Sequence, residues 1–160
     1  MKKINERYWF RAKVIHHDPI TNPENGWVEG FYYQDLCLDE DHNPVMKSFI
    51  RSGEMKWEID PKTLGMFTGF YDCSSEPQPI FEGDVLHTLF KDNSSSYDLV
   101  GWNPERGCFG IMDEVDYNAR MEGEEDNFSC YAFEWMNQND AKYVVAGNIH
   151  ENAELMIINS

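Results

Sequence analysis

The sequence predicts a mainly β protein, a barrel or a sandwich, with a minor helical part. Apolar and polar side chains alternate along most of its apolar segments, which is the pattern of a strand with one buried face. Turn-forming residues separate these segments at intervals of about 8–12 residues. Ten Phe, eight Tyr and five Trp make the chain 14% aromatic, and aromatic side chains favour pleated sheets over long helices. The prediction is a single domain, 1–160, divisible into an N-terminal β annex at 1–58 and a barrel core at 59–160.

Four strands are predicted before residue 60, at 8–15, 27–34, 45–50 and 55–59. In the first of them Phe10, Ala12 and Val14 share one face of the alternating pattern. The segment that follows, 16–26, is dense in the residue types of loops. Gly30 interrupts the second strand, and a glycine inside a strand indicates a bulge or a close approach by another backbone.

The segment 60–72, DPKTLGMFTGFYD, allows two interpretations. Its glycines, lysine and threonines suit a loop that binds phosphate, and they suit equally well a turn followed by a strand. A phosphate loop needs a lysine after its second glycine, but Phe70 follows Gly69, and Lys62 precedes both glycines. No long helix is predicted next to the segment that would bind an anion at its N-terminus. The sequence therefore predicts a turn at Asp60-Pro61 and a strand through 66–68.

In the rest of the chain, strands are predicted within 80–90 on either side of a Gly83-Asp84 turn, and at 97–102, 108–112, 129–136 and 142–149. The span 113–126 carries seven carboxylates against Arg120 alone, which predicts either a short helix or a mobile loop. One or two helical turns are predicted at 152–156, with Asn152 as the N-cap and Glu154 in the first turn.

The formal net charge is −16, from 29 acidic and 13 basic side chains. Direct nucleic-acid binding and adsorption to an anionic membrane both need a basic surface, so neither is expected. The charge favours solubility, a basic partner, or a surface that imitates nucleic acid. An ordinary acidic surface is the simplest of these interpretations.

The four cysteines, Cys37, Cys73, Cys108 and Cys130, are scattered and include no CxxC pair. The first residues are basic and then aromatic, unlike a signal peptide, and no stretch approaches the roughly 20 apolar residues of a membrane span. We therefore expect reduced thiols in a cytoplasmic protein, which for a phage-encoded chain is the cytoplasm of the host cell.

Five motifs occur in one order: FRA at Phe10, WVEGFYY at Trp27, IDPKTLGMFTG at Ile59, IFEGDV at Ile80 and VAGNIHENAEL at Val145. In this order they resemble the YopX family, small proteins encoded mainly by bacteriophages and prophages. The most specific part is D-P-x-T-x-G-x-F-T-G followed by a loop and E-G-D-V, and G-N-I-x-E-N-x-E-L is an independent match near the end of the chain. The sequence departs from the family pattern at 72–79, where the family carries a turn rich in lysine and glycine, and at Ala153, where it often has proline.

The resemblance implies a small SH3-like β-barrel with additional strands. Together with the segments placed above, the predicted fold is such a barrel with additional N-terminal strands and a short C-terminal helix. It implies no defined activity. Analogy with other SH3-like barrels suggests a binding module, and that analogy rests on the fold alone.

The residues of the family motifs are predicted to be structural. Glu82 and Asp84 could offer carboxylates to a metal, but a tight bend at Gly83 explains the same residues more simply. His16 and His17 have no second cluster of metal ligands nearby in sequence. No catalytic, cofactor or metal site is predicted. The motif residues are Asp60, Pro61, Thr63, Gly65, Thr68, Gly69, Glu82, Gly83, Asp84, Gly147, Asn148, Glu151 and Asn152. The candidate acidic partner surface consists of Glu122, Glu124, Glu125 and Asp126.

The leading hypothesis is a non-enzymatic accessory protein of phage type that binds an unknown protein partner. The alternatives are an acidic nucleic-acid mimic that blocks a host DNA-binding protein, and an enzyme of unknown class. The five tryptophans are too many to be wholly buried in one small barrel, so they either pack at the core and its flanks or line a binding groove. Strand edges and exposed aromatic side chains would also allow self-association into a homo-oligomer.

Overall fold

The computed structural model describes residues 8–16, 18, 20–123, 128–130 and 132–157. Its strands are β1 (Phe10–Lys13), β2 (Trp27–Leu38), β3 (Pro44–Ser52), β4 (Met55–Glu58), β5 (Gly65–Tyr71), β6 (Pro79–Phe81), β7 (Asp84–Leu89), β8 (Ser95–Asn103), β9 (Cys108–Asp113) and β10 (Lys142–Asn148). Its α-helices are α1 (Glu114–Met121) and α2 (Ala132–Gln138), and 3-10 helices lie at Pro61–Thr63 and Ala153–Met156. The protein is therefore mainly β, as predicted.

The strands form two antiparallel sheets, with the orders β4-β3-β2-β1-β5-β6 and β10-β7-β8-β9. A barrel closes only when the two outer strands of a sheet pair with each other. The outer strand β9 bonds to Ser129 instead, with Ile111 N–H donating to Ser129 O (3.2 Å) and Ser129 N–H donating to Ile111 O (2.8 Å). Within the described residues the predicted closed SH3-like barrel is thus not formed, and both sheets are open.

The chain divides into two compact units, Met1–Phe67 and Thr68–Ser160, and the boundary falls inside β5. The first unit has one buried cluster, which joins β1, β2 and β3 to Ile59. It confirms the predicted inner face of β1, because Ala12 is fully buried and Phe10 and Val14 pack against the cluster. The cluster consists of Ala12, Val28, Ile50 and Ile59, with Phe10, Val14, Tyr32, Trp57 and Leu64 against it.

In the second unit the four-stranded sheet is covered on both faces. Neighbouring residues of a strand point to opposite faces, so Val85 and Leu86 of β7 belong to different clusters. One cluster contains α2 and consists of Ile80, Leu86, Val100, Phe133, Met136, Ala141 and Tyr143. The other contains α1 and the C-terminal 3-10 helix and consists of Val85, Leu99, Met112, Tyr117 and Met156.

The prediction of a strand at 129–136 is wrong, because most of that segment lies in α2. A short, almost wholly apolar run does not distinguish a buried strand from a buried helix. The side chains that α2 buries are Ala132, Phe133 and Met136, while Trp135 between them is exposed. This spacing places the buried side chains on one face of a helix.

The acidic span begins as the predicted short helix, α1. Asp113 caps it by accepting a hydrogen bond from Asp116 N–H at 2.9 Å, and Glu114 and Asp116 lie in its first turn. Carboxylates at this end of a helix interact favourably with the unpaired amides and the helix dipole. The sequence of the span thus stabilises the helix locally.

The segment 60–72 is confirmed as a turn followed by a strand. Asp60 Oδ1 accepts from Lys62 N–H at 3.0 Å at the start of the 3-10 helix, where Pro61 occupies the first position. Thr63 Oγ1 then accepts from Lys13 N–H at 2.8 Å, which ties the turn to β1. Gly65–Tyr71 form β5. The amides of this turn therefore bond to protein groups in the arrangement of a structural turn.

The short C-terminal helix is confirmed with Asn152 at its N-cap position, but the capping hydrogen bond expected of that side chain is not formed. Asn152 makes no side-chain hydrogen bond to the helix. Its Oδ1 instead accepts from Asn148 N–H at 3.2 Å, and it would lie 2.4 Å from a Cβ at Gly147. Asn148 Oδ1 in turn accepts from His150 and Glu151 N–H. The motif GNIHEN therefore closes a turn upstream of the helix, which leaves the asparagine no reach for capping.

Gly30 confirms the predicted close approach of another backbone. A Cβ at this position would lie 2.3 Å from the carbonyl oxygen of Arg51. We expect Gly30→Ala to lower the free energy of unfolding by about 2 kcal/mol, because β2 and β3 must separate to admit the methyl group. Urea unfolding followed by tryptophan fluorescence measures the change. Gly53→Asn is the matched control, since nothing lies within 4 Å of a Cβ there and asparagine tolerates its positive φ of 59°. Equal stability of the Gly30→Ala variant and the wild type would contradict the expectation.

The expectation of four reduced cysteines is wrong for two of them. Cys108 and Cys130 form a disulfide with Cα atoms 5.9 Å apart, whereas Cys37 and Cys73 are thiols. The scattered spacing gave no indication of this pair, because it forms only where the chain after α1 returns along the outer strand β9.

Two paired glycines make that return possible. Gly101 of β8 and Gly110 of β9 lie opposite each other. A Cβ at Gly101 would lie 2.2 Å from the ring of Phe128, and a Cβ at Gly110 would lie 2.6 Å from Ser129 O. The missing side chain at Gly101 therefore leaves room for the ring of Phe128, and the one at Gly110 leaves room for the backbone of Ser129.

Candidate interaction surface

The two strands β2 and β3 continue beyond the rest of their sheet as a two-stranded hairpin. β1 pairs with β2 only at 27–30, and β4 pairs with β3 only at 49–52. The paired positions from Asp35↔Lys47 to Leu38↔Pro44 therefore have no third strand among the described residues. We name residues 35–47 the arm. Its strands extend about 13 Å at roughly 3.3 Å per residue.

The core face of the first unit continues along one side of the arm. Paired residues of an antiparallel ladder share a face, and along this face Tyr32↔Ile50 and Gln34↔Ser48 come first. Ile50 is fully buried, and the hydroxyls of Tyr32 and Ser48 share a hydrogen bond of 3.4 Å. The next two pairs on the same face are Leu36↔Met46 and Leu38↔Pro44.

Beyond the polar pair Gln34↔Ser48 the outer pairs are apolar again, although the core has ended. Leu36, Leu38 and Met46 are 64%, 61% and 57% exposed. We name Leu36, Leu38, Pro44 and Met46 the stripe. Single exposed apolar residues are common on soluble proteins, whereas a contiguous apolar face marks a site of interaction.

The turn of the arm is both ordered and acidic. Asp39 Oδ1 accepts from the N–H groups of Asp41 and Asn43 at 2.9 and 2.8 Å, and His42 adopts a positive φ of 63°. The side chain of Asp39 thus stabilises the reversal of the chain. The arm carries four carboxylates, at 35, 39, 40 and 41, and a single lysine, for a net charge of −3.

The candidate acidic partner surface is described only in part. Glu122 is the C-cap residue of α1 and is exposed. Glu124, Glu125 and Asp126 lie outside the described residues.

The motif residues of the central segments lie at turns and strand starts. Gly65 pairs with Arg11. Thr68 Oγ1 donates to Ile80 O at 2.9 Å and accepts from Phe70 N–H, beside Gly69 with its positive φ of 88°. Gly83, also at a φ of 88°, donates its N–H to Val100 O and accepts from Ile149 N–H. Next to it Glu82 is half-buried, and the carboxylate of Asp84 is fully buried and accepts from Phe81 N–H at 2.8 Å.

The pKa of the Asp98 carboxyl group is raised, a kind of perturbation that often marks a functional site. Asp98 lies on β8, is 3% exposed, and accepts hydrogen bonds from Thr88 Oγ1 (2.6 Å) and Ser96 Oγ (2.9 Å). Burial raises the pKa of Asp98 above its usual value; the two hydroxyls act in the opposite direction, and the charges of Asp113 and Glu114 add to the rise. Asp98 is too buried to contact a substrate. Its environment instead suits a structural role, in which the carboxylate accepts hydrogen bonds inside the protein.

The raised pKa of Asp98 predicts a pH-dependent effect of Asp98→Asn. A folded pKa above the unfolded one means that folding becomes less favourable as pH rises through the interval between the two. The amide keeps an acceptor for Thr88 and Ser96 and never ionises. We therefore expect the stability of the variant relative to the wild type to increase as the pH rises above the pKa of an unfolded aspartate, about 4. Urea unfolding at several pH values measures the difference, and a difference that stays constant or falls would contradict it. Glu105→Gln, at an exposed position, is the control.

Among the described residues no group of three or more His, Cys, Asp or Glu side chains could bind a metal ion, and no helix there has the length and apolar character to cross a membrane. His87 stacks on Tyr97, and His17 lies outside the described residues. The tryptophans are not all buried, as expected: Trp102 and Trp135 are 41% and 51% exposed, and they contact Phe109 and Phe90 respectively.

The sequence prediction placed strands at 27–34 and 45–50, so it missed the continuation of β2 through 35–38 that forms one side of the arm. The indication was present in the order of residues, because apolar side chains recur at Leu36 and Leu38 and again at Pro44 and Met46 on either side of DEDHN. Alternation across a polar turn is the signature of a hairpin. The alternation does not show whether the apolar face of the hairpin is buried or exposed. Only an exposed apolar face makes the hairpin a candidate binding site.

A family model described as YopX protein matches residues 9–157, so the resemblance seen in the motifs is confirmed over nearly the whole chain. No curated protein and no solved structure matches the chain.

Proposed function

The chain belongs to the YopX family, and we propose that it is an accessory protein of phage type that binds another protein through the arm. The observation that carries the proposal is the stripe, an exposed apolar patch that lies on a hairpin beyond the end of the core and is separated from it by the polar pair Gln34↔Ser48. An isolated two-stranded hairpin is marginally stable in water, and covering one of its faces stabilises it.

The size of the stripe suits an anchor for a partner. Complete burial of a Leu or Met side chain contributes about 1.5–3 kcal/mol, so covering three such side chains that are about three-fifths exposed contributes roughly 3–5 kcal/mol. Association costs several kcal/mol, so the remaining affinity must come from polar contacts at the edges of the stripe. The arm therefore fits a transient complex better than a permanent one.

The proposal requires no chemical step. The carboxyl group with the raised pKa, Asp98, is buried and accepts hydrogen bonds from two hydroxyls. The arm, in contrast, is exposed, carries the apolar stripe and has a net charge of −3. Binding is thus the activity that the described residues support best.

Site-specific photo-crosslinking tests the proposal. A benzophenone amino acid replaces Leu38 in the arm or, as the matched control, Val115 on α1, which is 65% exposed in the other unit. In lysate of host cells that express the chain, we expect the probe at residue 38 to capture a protein that the probe at residue 115 does not.

The additional substitutions Leu36→Ser and Met46→Ser should abolish this capture, with the circular dichroism spectrum unchanged. Identical products from both probe positions, or none from residue 38, would refute the arm as the binding element.

A further inference from the structure

The stripe does not end in neutral surface but runs into a cluster of carboxylates. Asp39, Glu40 and Asp41 form the turn directly after Leu38, and Asp35 lies on the opposite face of the arm. The one cation of the arm, Lys47, is paired within the protein: its Nζ lies 3.1 Å from Glu58 Oε2. Among the described residues, therefore, no cation is paired with the carboxylates at 39–41.

The negative charge of the arm favours some classes of binding partner for the stripe over others. A second copy would bring an arm of the same net charge, −3, on a chain of net charge −16. Nucleic acid and anionic membrane surfaces would be repelled in the same way. A protein with an apolar cleft bordered by lysine and arginine would instead match both the stripe and the acidic turn.

Resting on the proposed function, we infer that the partner of the arm is a basic protein segment whose apolar side chains cover Leu36, Leu38 and Met46 while its cations face the turn at 39–41. Charge complementarity accelerates encounter and selects the orientation, and burial of the stripe retains the complex. The interaction is accordingly sensitive to salt.

Two synthetic amphipathic peptides test the inference. They have the same length, roughly 14 residues, and the same leucine positions, and one carries lysine where the other carries glutamate. Fluorescence anisotropy with the full chain should show that the lysine peptide binds at least about tenfold more tightly than the glutamate peptide. Raising NaCl from about 50 to about 300 mM should weaken its binding several-fold.

Matched variants separate the arm from the general acidity of the chain. Glu40→Gln/Asp41→Asn should weaken binding of the lysine peptide several-fold, whereas Glu76→Gln/Glu105→Gln removes two exposed carboxylates of the other unit and should leave it nearly unchanged. Leu36→Ser/Met46→Ser should reduce binding in both salt conditions. Equal effects of the two charge variants would show general electrostatic attraction and overturn the inference.

Two further outcomes would also overturn it. One is equal binding of the two peptides, or binding of neither. The other is a concentration-dependent dimer in analytical ultracentrifugation that Leu36→Ser/Met46→Ser converts to a monomer, because a second copy then covers the stripe. Capture by the residue 38 probe is independent of these measurements, so it reports on the proposed function even when the basic character of the partner is refuted.

Discussion

Loss of the Cys108–Cys130 disulfide is expected to lower the free energy of unfolding of the second unit by about 3 kcal/mol. The bond joins positions 22 residues apart, and cross-linking a segment of that length removes conformational freedom mainly from the unfolded chain. The bond also fixes the stretch 128–130, whose backbone bonds the outer edge of β9. Cys130→Ser should therefore shift the urea transition to lower concentration.

Reduction provides an internal comparison for this prediction. Dithiothreitol should shift the wild-type transition by the same amount and leave that of Cys130→Ser unchanged. Cys37→Ser/Cys73→Ser is the control, because these residues are thiols in the native protein. Alkylation of the untreated chain should modify two cysteines; modification of all four, with no effect of dithiothreitol on unfolding, would refute the disulfide.

The same alkylation, performed in intact expressing cells, reports on location. Disulfides persist in oxidising compartments and are rare and mostly transient in the cytosol. A cytoplasmic location therefore predicts that Cys108 and Cys130 react in cells and become protected after purification in air.

Asp72→Ala is expected to lower the free energy of unfolding of the second unit by about 3 kcal/mol at neutral pH. Asp72 is 6% exposed and organises the connection between β5 and β6. Its Oδ1 accepts from Ser74 N–H (3.2 Å), Ser74 Oγ (2.6 Å) and Gln78 N–H (2.8 Å), and its Oδ2 accepts from Val145 N–H (3.1 Å) on β10. Alanine would leave several of these donors without an acceptor, each at a cost of about 1 kcal/mol or more.

The contribution of Asp72 should depend on pH in a defined direction. Burial acts to raise its pKa, but the hydrogen bonds from Ser74, Gln78 and Val145 together hold the pKa below the usual value of 3.8. A depressed folded pKa gives a contribution that is complete above the unfolded pKa and is lost as pH falls through the folded pKa. The stability difference between the wild type and Asp72→Ala should thus be constant near neutral pH and shrink below about pH 4.

Two further variants test whether the loss of stability comes from the hydrogen bonds that Asp72 accepts. Asp72→Asn keeps an oxygen for Ser74 and Gln78 but directs an amide N–H towards Val145 N–H, so an intermediate loss is expected. Asp92→Ala removes similar bonds to Ser94 at an exposed turn and should have a much smaller effect. Thermal and urea unfolding measure all three variants, and equal effects of Asp72→Ala and Asp92→Ala would contradict the assigned role.

Local patterns in the sequence were sufficient for most of the strands and for the family. The alternation of Phe10, Ala12 and Val14 predicted the face of β1 that is buried, and Gly30 indicated a bulge or a close approach by another backbone, of which the structure shows the second. The turn at Asp60 was likewise determined by nearby residues. In each case the contacts that decide the structure either join residues close along the chain or follow from the alternation of side chains along a strand.

Tertiary structure alone decided three other features. The apolar run in α2 became helix because one of its faces packs on the four-stranded sheet, and Cys108 met Cys130 because Gly101 and Gly110 admit the returning chain. The stripe became a candidate binding surface because β1 and β4 end before they reach it. A sequence specifies which side chains share a face of a strand or helix. Whether that face is covered depends on residues distant along the chain. Burial of the face distinguishes a core from a candidate interface.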